Sequence, residues 1–136
     1  MPHHLEHVSP AGVAEPRAAY SHALRSRGEV LWLAGQVATD PDGATVGAGD
    51  APAQLRQVMA NVGRVLDSAG ASWADVVRLV FYVVGADNVE PVRATRADLM
   101  RNLYPEGRFP TSTFLVVDRL AAAEFLVEVE ATAVMA

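Results

Sequence analysis

The sequence predicts an α+β domain in which two helices pack on one face of a single mixed sheet. Two observations carry most of that expectation. Two stretches repeat apolar residues every three or four positions, and five stretches are β-branched, aromatic or alternating. They interleave in the order β-β-α-β-α-β-β. The third observation is length: 136 residues suit one domain.

Residues 1–19 are rich in Pro, Ala and His, show no sustained period, and are read as a partly mobile N-terminal arm. His3, His4 and His7 lack the spacing of a helical zinc motif, so a solvated terminal segment is expected. The domain proper is expected over 20–136. Tyr20 to Ser26 alternates polar and apolar residues, Arg27-Gly28-Glu29 marks a turn, and Val30 to Ala34 is apolar. That pattern predicts a hairpin. Asp40-Pro41-Asp42-Gly43 signals another turn, and a glycine-rich loop runs on to Gly49.

Asp50 is placed to cap a helix with Pro52 in its first turn. Leu55, Val58, Met59, Val62, Val65, Leu66 and Ala69 then form one apolar stripe, and Gly70 ends it. Asp75 to Val84 reads as a strand covered on both faces, with Val77, Leu79, Phe81 and Val83 opposite Arg78 and Tyr82. Val89, Val92, Leu99 and Leu103 predict a second helix from about Asn88 to Tyr104. Thr111–Val117 and Phe125–Val134 complete the strands.

Composition removes several chemistries. The absence of cysteine excludes thiol catalysis, disulfides and thiolate metal sites. All eleven basic residues are arginine, so Schiff-base chemistry and the lysine of a phosphate-binding loop are excluded too. A net charge of −5 without a basic run gives no footprint for nucleic acid or an anionic membrane. The N-terminus does not resemble a secretory signal, and the longest apolar run, Leu79 to Val84, falls far short of the ~20 residues that span a bilayer. The cytoplasm is the expected location.

The sheet face opposite the helices poses a problem. Arg78, Tyr82, Glu128 and Glu130 alternate there with apolar residues, and no helix remains to cover them. A sheet apolar on both faces with cover for one predicts self-association.

Several stretches resemble a known family. They are Tyr20-Ser21-His22-Ala23, Ala34-Gly35-Gln36-Val37, Gln54-Leu55-Arg56-Gln57-Val58, Val76-Val77-Arg78-Leu79, Phe109-Pro110, Arg119-Leu120 and Val127-Glu128-Val129-Glu130-Ala131. In this order and spacing they are similar to the Rid family of reactive intermediate deaminases, also called YjgF-like or L-PSP proteins. The likeness runs over about residues 20–134. It implies a chorismate-mutase-like fold, a homotrimer with sheets facing inward, and a small-molecule pocket at each subunit interface. It also implies hydrolysis of enamine or imine acids to keto acids and ammonia without a metal or organic cofactor.

Carried over residue by residue, the resemblance makes Glu128 the pocket carboxyl and Tyr20 a pocket hydroxyl, the two expected catalytic residues. Gly35 is expected to turn its backbone N–H into the pocket, and the backbone carbonyl of Phe114 to hold water. Ser112 departs from the pattern, standing where active imine deaminases carry the arginine that grips the substrate carboxylate. One neutral hydroxyl replaces a bidentate charged pair, a loss of a few kcal/mol. Arg93 falls where many members have a pocket asparagine, and Arg96 near a family aromatic. Arg93 is therefore expected to supply from the helix the cation that Ser112 no longer supplies from the strand. Arg119 is expected in a structural salt bridge, and His22 in packing or at the surface. The function expected is a Rid-like hydrolase whose substrate differs from 2-iminopropanoate. The alternative is a non-catalytic trimer that binds a small ligand. Ribonuclease activity is disfavoured by the acidic balance.

Overall fold

A computed structural model of the chain describes residues 4–136. Its strands are β1 (Leu5–Val8), β2 (Ala23–Ser26), β3 (Glu29–Val37), β4 (Val76–Val84), β5 (Thr111–Val117) and β6 (Val127–Met135). Its helices are α1 (Ala51–Ser68) and α2 (Val89–Leu103). Strands β3, β6, β4 and β5 lie side by side in that order as one mixed sheet. β6 is antiparallel to both its neighbours, and β4 and β5 are parallel. The α+β architecture with two helices and a mixed sheet is as the sequence predicts. His3 lies outside the described residues.

Strand partnership differs from the expectation. β2 pairs with β1 and not with β3, and the segment expected as an arm thus supplies a strand. The corner between β2 and β3 explains the exchange. Gly28 has φ +138°, and a Cβ there would lie 1.8 Å from the Met135 carbonyl oxygen. Only glycine lets the chain press against the end of β6 and run back along it. On the other side of the corner the Arg27 N–H donates to the His4 carbonyl at 3.0 Å. β1 has only one well-buried side chain, Leu5, so no period betrayed it. Its histidines pin it in place. His4 Nε2 donates to the Val134 carbonyl at 2.5 Å, and His7 Nδ1 meets Ser21 Oγ at 2.8 Å. Ser21 gives its only proton to the Phe109 carbonyl, which makes His7 the donor in that pair. Burial, then the nearby Arg108 charge, hold the His7 pKa below the ordinary imidazole value. Ser21 also bridges to Thr111, setting the β1–β2 ribbon beside the start of β5.

α1 begins as expected. Asp50 accepts from the Ala53 N–H at 3.0 Å, and Pro52 sits in the first turn. Leu55, Val58, Met59, Val62 and Leu66 point into the core beside Leu79, Phe81 and Val83 of β4 and Val127, Val129, Ala131 and Ala133 of β6. Val65 is only half-buried and Ala69 is the C-cap, so the stripe is narrower than the sequence suggested. One polar residue is fully enclosed among them. Gln54 donates to the Gly47 and Glu124 carbonyls at 3.2 and 2.9 Å and accepts from the Leu126 N–H at 2.8 Å. It thereby ties α1 to the loop that delivers β6.

The other face carries no helix among the described residues. On it lie Arg78 and Tyr82 of β4, Glu128 and Glu130 of β6, and Val30 and Trp32 of β3. Trp32 is 76% exposed. At the far edge, Leu115 and Val116 of β5 are exposed as well. No helix among the described residues is long and apolar enough to cross a membrane.

The Gln54 clamp makes a direct prediction. Gln54→Leu leaves three part-buried backbone groups without their partner, and should cost about 2 kcal/mol of unfolding free energy in urea denaturation.

Candidate functional site

The residues singled out by sequence fall into separate groups within one chain. The first lies on the uncovered face. Between Leu33 and Gln36 the register of β3 against β6 slips, and Gly35 sits in that irregularity. A Cβ on Gly35 would lie 2.9 Å from the Glu128 carboxyl carbon, so the glycine leaves the space that the carboxylate fills. Burial, then the neighbouring Glu130 charge, push the Glu128 pKa up. Glu128 stands opposite Tyr82 in the β4–β6 register, and the Tyr82 hydroxyl donates to Glu130. That bond, then burial, raise the tyrosine pKa as well.

The second group lies around β5. Ser112 pairs with Leu79 and Phe114 with Phe81 in the parallel register, which puts both on the helix side of the sheet. Ser112 Oγ is buried and has no hydrogen-bond partner among the described residues. Tyr20 and Ser112 both line a recess of about 470 Å³ at the β5 edge, together with His22, Arg78 and Thr113. The Tyr20 and His22 rings meet edge to face, 5.7 Å between centroids. His22 Nε2 bonds the Ala14 carbonyl at 2.6 Å.

Arg93 lies in a third place, a recess of about 570 Å³ between α2 and the 16–19 segment. Its exposed guanidinium pairs with Glu90 at 3.2 Å, one helical turn back. Arg119 reaches the Leu120 and Ala121 carbonyls and forms no ion pair among the described residues, so the expected salt bridge is replaced by local backbone contacts.

Sequence reasoning underrated Arg96. It shares the buried face of α2 with Val92 and Met100, four residues to either side, and only 9% of it is exposed. Its guanidinium carbon lies 5.1 Å from the Phe81 ring centre and 4.9 Å from that of Phe114, and the two rings stack at 25°. A charge on the apolar stripe of a helix was the signal available. Among the described residues no group of three or more His, Asp or Glu side chains could hold a metal ion.

Glu128 lies two strand positions from β5 and Gly35 three, roughly 10 and 14 Å within the sheet, and the Glu128 side chain is on the face opposite Ser112 and Phe114. This division of one set of residues between two faces accompanies a clear family match. Residues 12–135 match the family model described as Endoribonuclease L-PSP. A RutC family protein from a Synechocystis strain is 30% identical over 129 residues, covering 94% of this chain and 95% of its own length. The chain belongs to the Rid (YjgF, L-PSP) family. Another RutC family protein, from Pyrococcus horikoshii, is 30% identical and covers 88% of this chain and 89% of its own. Among solved structures of the Rid family, YyfB from Yersinia pestis superposes with a TM-score of 0.85 at 36% identity, covering 97% and 99% of the two chains. The YjgF gene product of E. coli gives 0.69 at 27% identity, covering 80% and 83%. The α+β arrangement is thus the Rid fold.

The raised Glu128 pKa has a thermodynamic sign. The folded protein holds this proton more tightly than the unfolded chain does, so stability falls as pH rises from the ordinary value of 4.5 through the raised one. Glu128→Gln removes the dependence. Thermal melts should superimpose for the two proteins near pH 4, and the variant should melt higher at pH 8.

Proposed function

We propose that the protein is a Rid-type hydrolase that deaminates a reactive enamine or imine, or a related labile small metabolite, in a pocket completed between subunits of a homotrimer. Its substrate differs from 2-iminopropanoate. The observation that carries this reading is Glu128 held against Gly35 on the uncovered sheet face, with its carboxyl pKa raised. Such a carboxyl can give a proton to a departing nitrogen and take one from water. In the reaction, water oxygen bonds the imine carbon, the carbon–nitrogen bond breaks, and the nitrogen leaves as ammonia. A keto compound remains. No metal or organic cofactor is required.

The same geometry supports the proposed assembly. Tyr20, Ser112 and Phe114 occupy one region of the chain and Gly35 with Glu128 another, so a complete set needs two copies meeting edge to face. Exposed Trp32 and Val30 beside Glu130 supply apolar area for that contact. The second reading, a trimeric ligand-binding or regulatory protein without catalysis, draws its support from Ser112. Its neutral hydroxyl replaces the arginine of active family members.

The decisive assay generates enamine acids of graded size in situ and follows keto-acid release. Acceleration is expected with at least one substrate bulkier than 2-aminoacrylate, and Glu128→Gln should lower it on the order of a hundredfold. Release no faster than the blank across the series contradicts turnover of enamine acids, and a thermal-shift screen of carboxylate-bearing and neutral ligands then divides another substrate from a binding role. Assembly has its own test. Light scattering should find trimers for the native chain, and Trp32→Asp should yield monomers without activity; an intact Trp32→Asp trimer contradicts the proposed contact.

A further inference from the structure

All four histidines of the chain fall between positions 3 and 22. The side chains whose ordinary pKa lies between pH 5 and 8 are thus gathered in the N-terminal segment. The three within the described residues each bond an oxygen that fastens this segment. His4 Nε2 reaches the Val134 carbonyl, His7 Nδ1 reaches Ser21 Oγ, and His22 Nε2 reaches the Ala14 carbonyl. Strand β1 is therefore a strap, fixed to β6 at one end and to Ser21 at the other. Ser21 is itself tied to the approach to β5, through its hydroxyl to the Phe109 carbonyl and through its N–H to the Pro110 carbonyl at 3.0 Å.

A second ring proton has different consequences at the three sites. The His22 bond is exposed, so water can receive a new N–H there. On His4 the proton falls on Nδ1, which is buried and unpartnered, but the Asp75 carboxylate 3.9 Å from Nε2 offsets the added charge. On His7 nothing offsets it. Nδ1 already donates to Ser21, so the proton goes to Nε2, which is buried and has no hydrogen-bond partner among the described residues. The Arg108 charge acts on this ring and repels. Glu6, on the same strand, is held by Arg25 at 3.2 Å. Glu15 stands exposed on the wall of the adjoining recess of about 510 Å³, with Tyr20 and His22. Neither carboxylate bonds the ring. A buried N–H without an acceptor is costly, and the recess that His7 lines offers the nearest water.

We propose that His7 is the catch of an acid-released strap: a proton on Nε2 drives the ring out into the recess, and the outer end of β1 parts from Ser21 and from β2. Burial, then Arg108, depress the His7 pKa while the strap is closed, so the closed form binds the proton less tightly than the open one. Closure is strongest above the ordinary value of 6.5 and is lost as pH falls from there through the depressed value. Each pH unit in that window multiplies the open-to-closed ratio by up to about tenfold. Tyr20 and Ser21 line both this recess and the one at the β5 edge that holds Ser112. Opening thus loosens a wall common to the two, a control on access that is separate from the chemistry proposed above.

Hydrogen exchange of the full chain, corrected for the pH dependence of the chemical step, tests the catch near pH 7.5 and near pH 5.5. Protection of the β1 and β2 amides should fall at least about threefold on acidification, while that of Val58 and Val62 in α1 does not fall. His7→Asn leaves a side-chain amide where Nδ1 stood, able to donate to Ser21, and has nothing to titrate. Its strap should be equally protected at both pH values. His22→Gln, at the surface, should retain the acid loss. A native strap that ignores pH overturns the proposal, as does an equal loss in α1. So does an acid loss that persists in His7→Asn or vanishes in His22→Gln. Should His7→Asn hold the strap open at both pH values, the titration of the His7 ring in the native protein, followed by proton NMR, decides. A midpoint below 6.5 supports the catch, and one at 6.5 or above overturns it.

Discussion

Strand β6 is the constraint on which the rest of the molecule depends. It alone has hydrogen-bonded partners on both sides that run against it, and its inward residues Val127, Val129, Ala131 and Ala133 meet the helices. Its opposite face carries Glu128 and Glu130, so one nine-residue segment supplies both the core and the candidate acid. Two devices hold it in register. Gln54 grips the loop that precedes it, and Gly28 lets the chain pass its far end at a distance no other residue tolerates. Displacing β6 by one residue would exchange the core side chains for the carboxylates.

The local elements were legible because each has a period. α1 announces itself through its stripe, cap and stop; its observed span begins after Asp50 as expected and ends one residue sooner, with Ala69 as its C-cap. β4 and β5 were equally plain, being runs of β-branched residues. What sequence could not convey was which strands pair. β2 and β3 look like a hairpin because a short turn joins them, yet the turn is a corner, and nothing local distinguishes the two. β1 escaped notice because it is held by backbone bonds and histidine contacts that leave no apolar pattern.

The candidate site was legible as a set of residue types and not as a place. Gly35 and Glu128 do touch, since a bulge and an adjacent strand bring them together. Tyr20 and Ser112 share a recess. Arg93 was chosen for its position along the chain, but the rotation of α2 decides which arginine turns inward. That rotation is set by Val92 and Met100, and it carries Arg96 with them. A difference of three positions on a helix thus separates a surface ion pair from a buried charge.

The fold also leaves a bare margin with a practical side. Ser21 bridges to the first residue of β5, and the ribbon reaches no further along that strand. Beyond it, Leu115 and Val116 are exposed on a strand with one free hydrogen-bonding edge. Such an edge is a template for any extended peptide. Preparations in which that margin stands uncovered should therefore gel or precipitate on concentration, growing strand upon strand, long before the core itself melts.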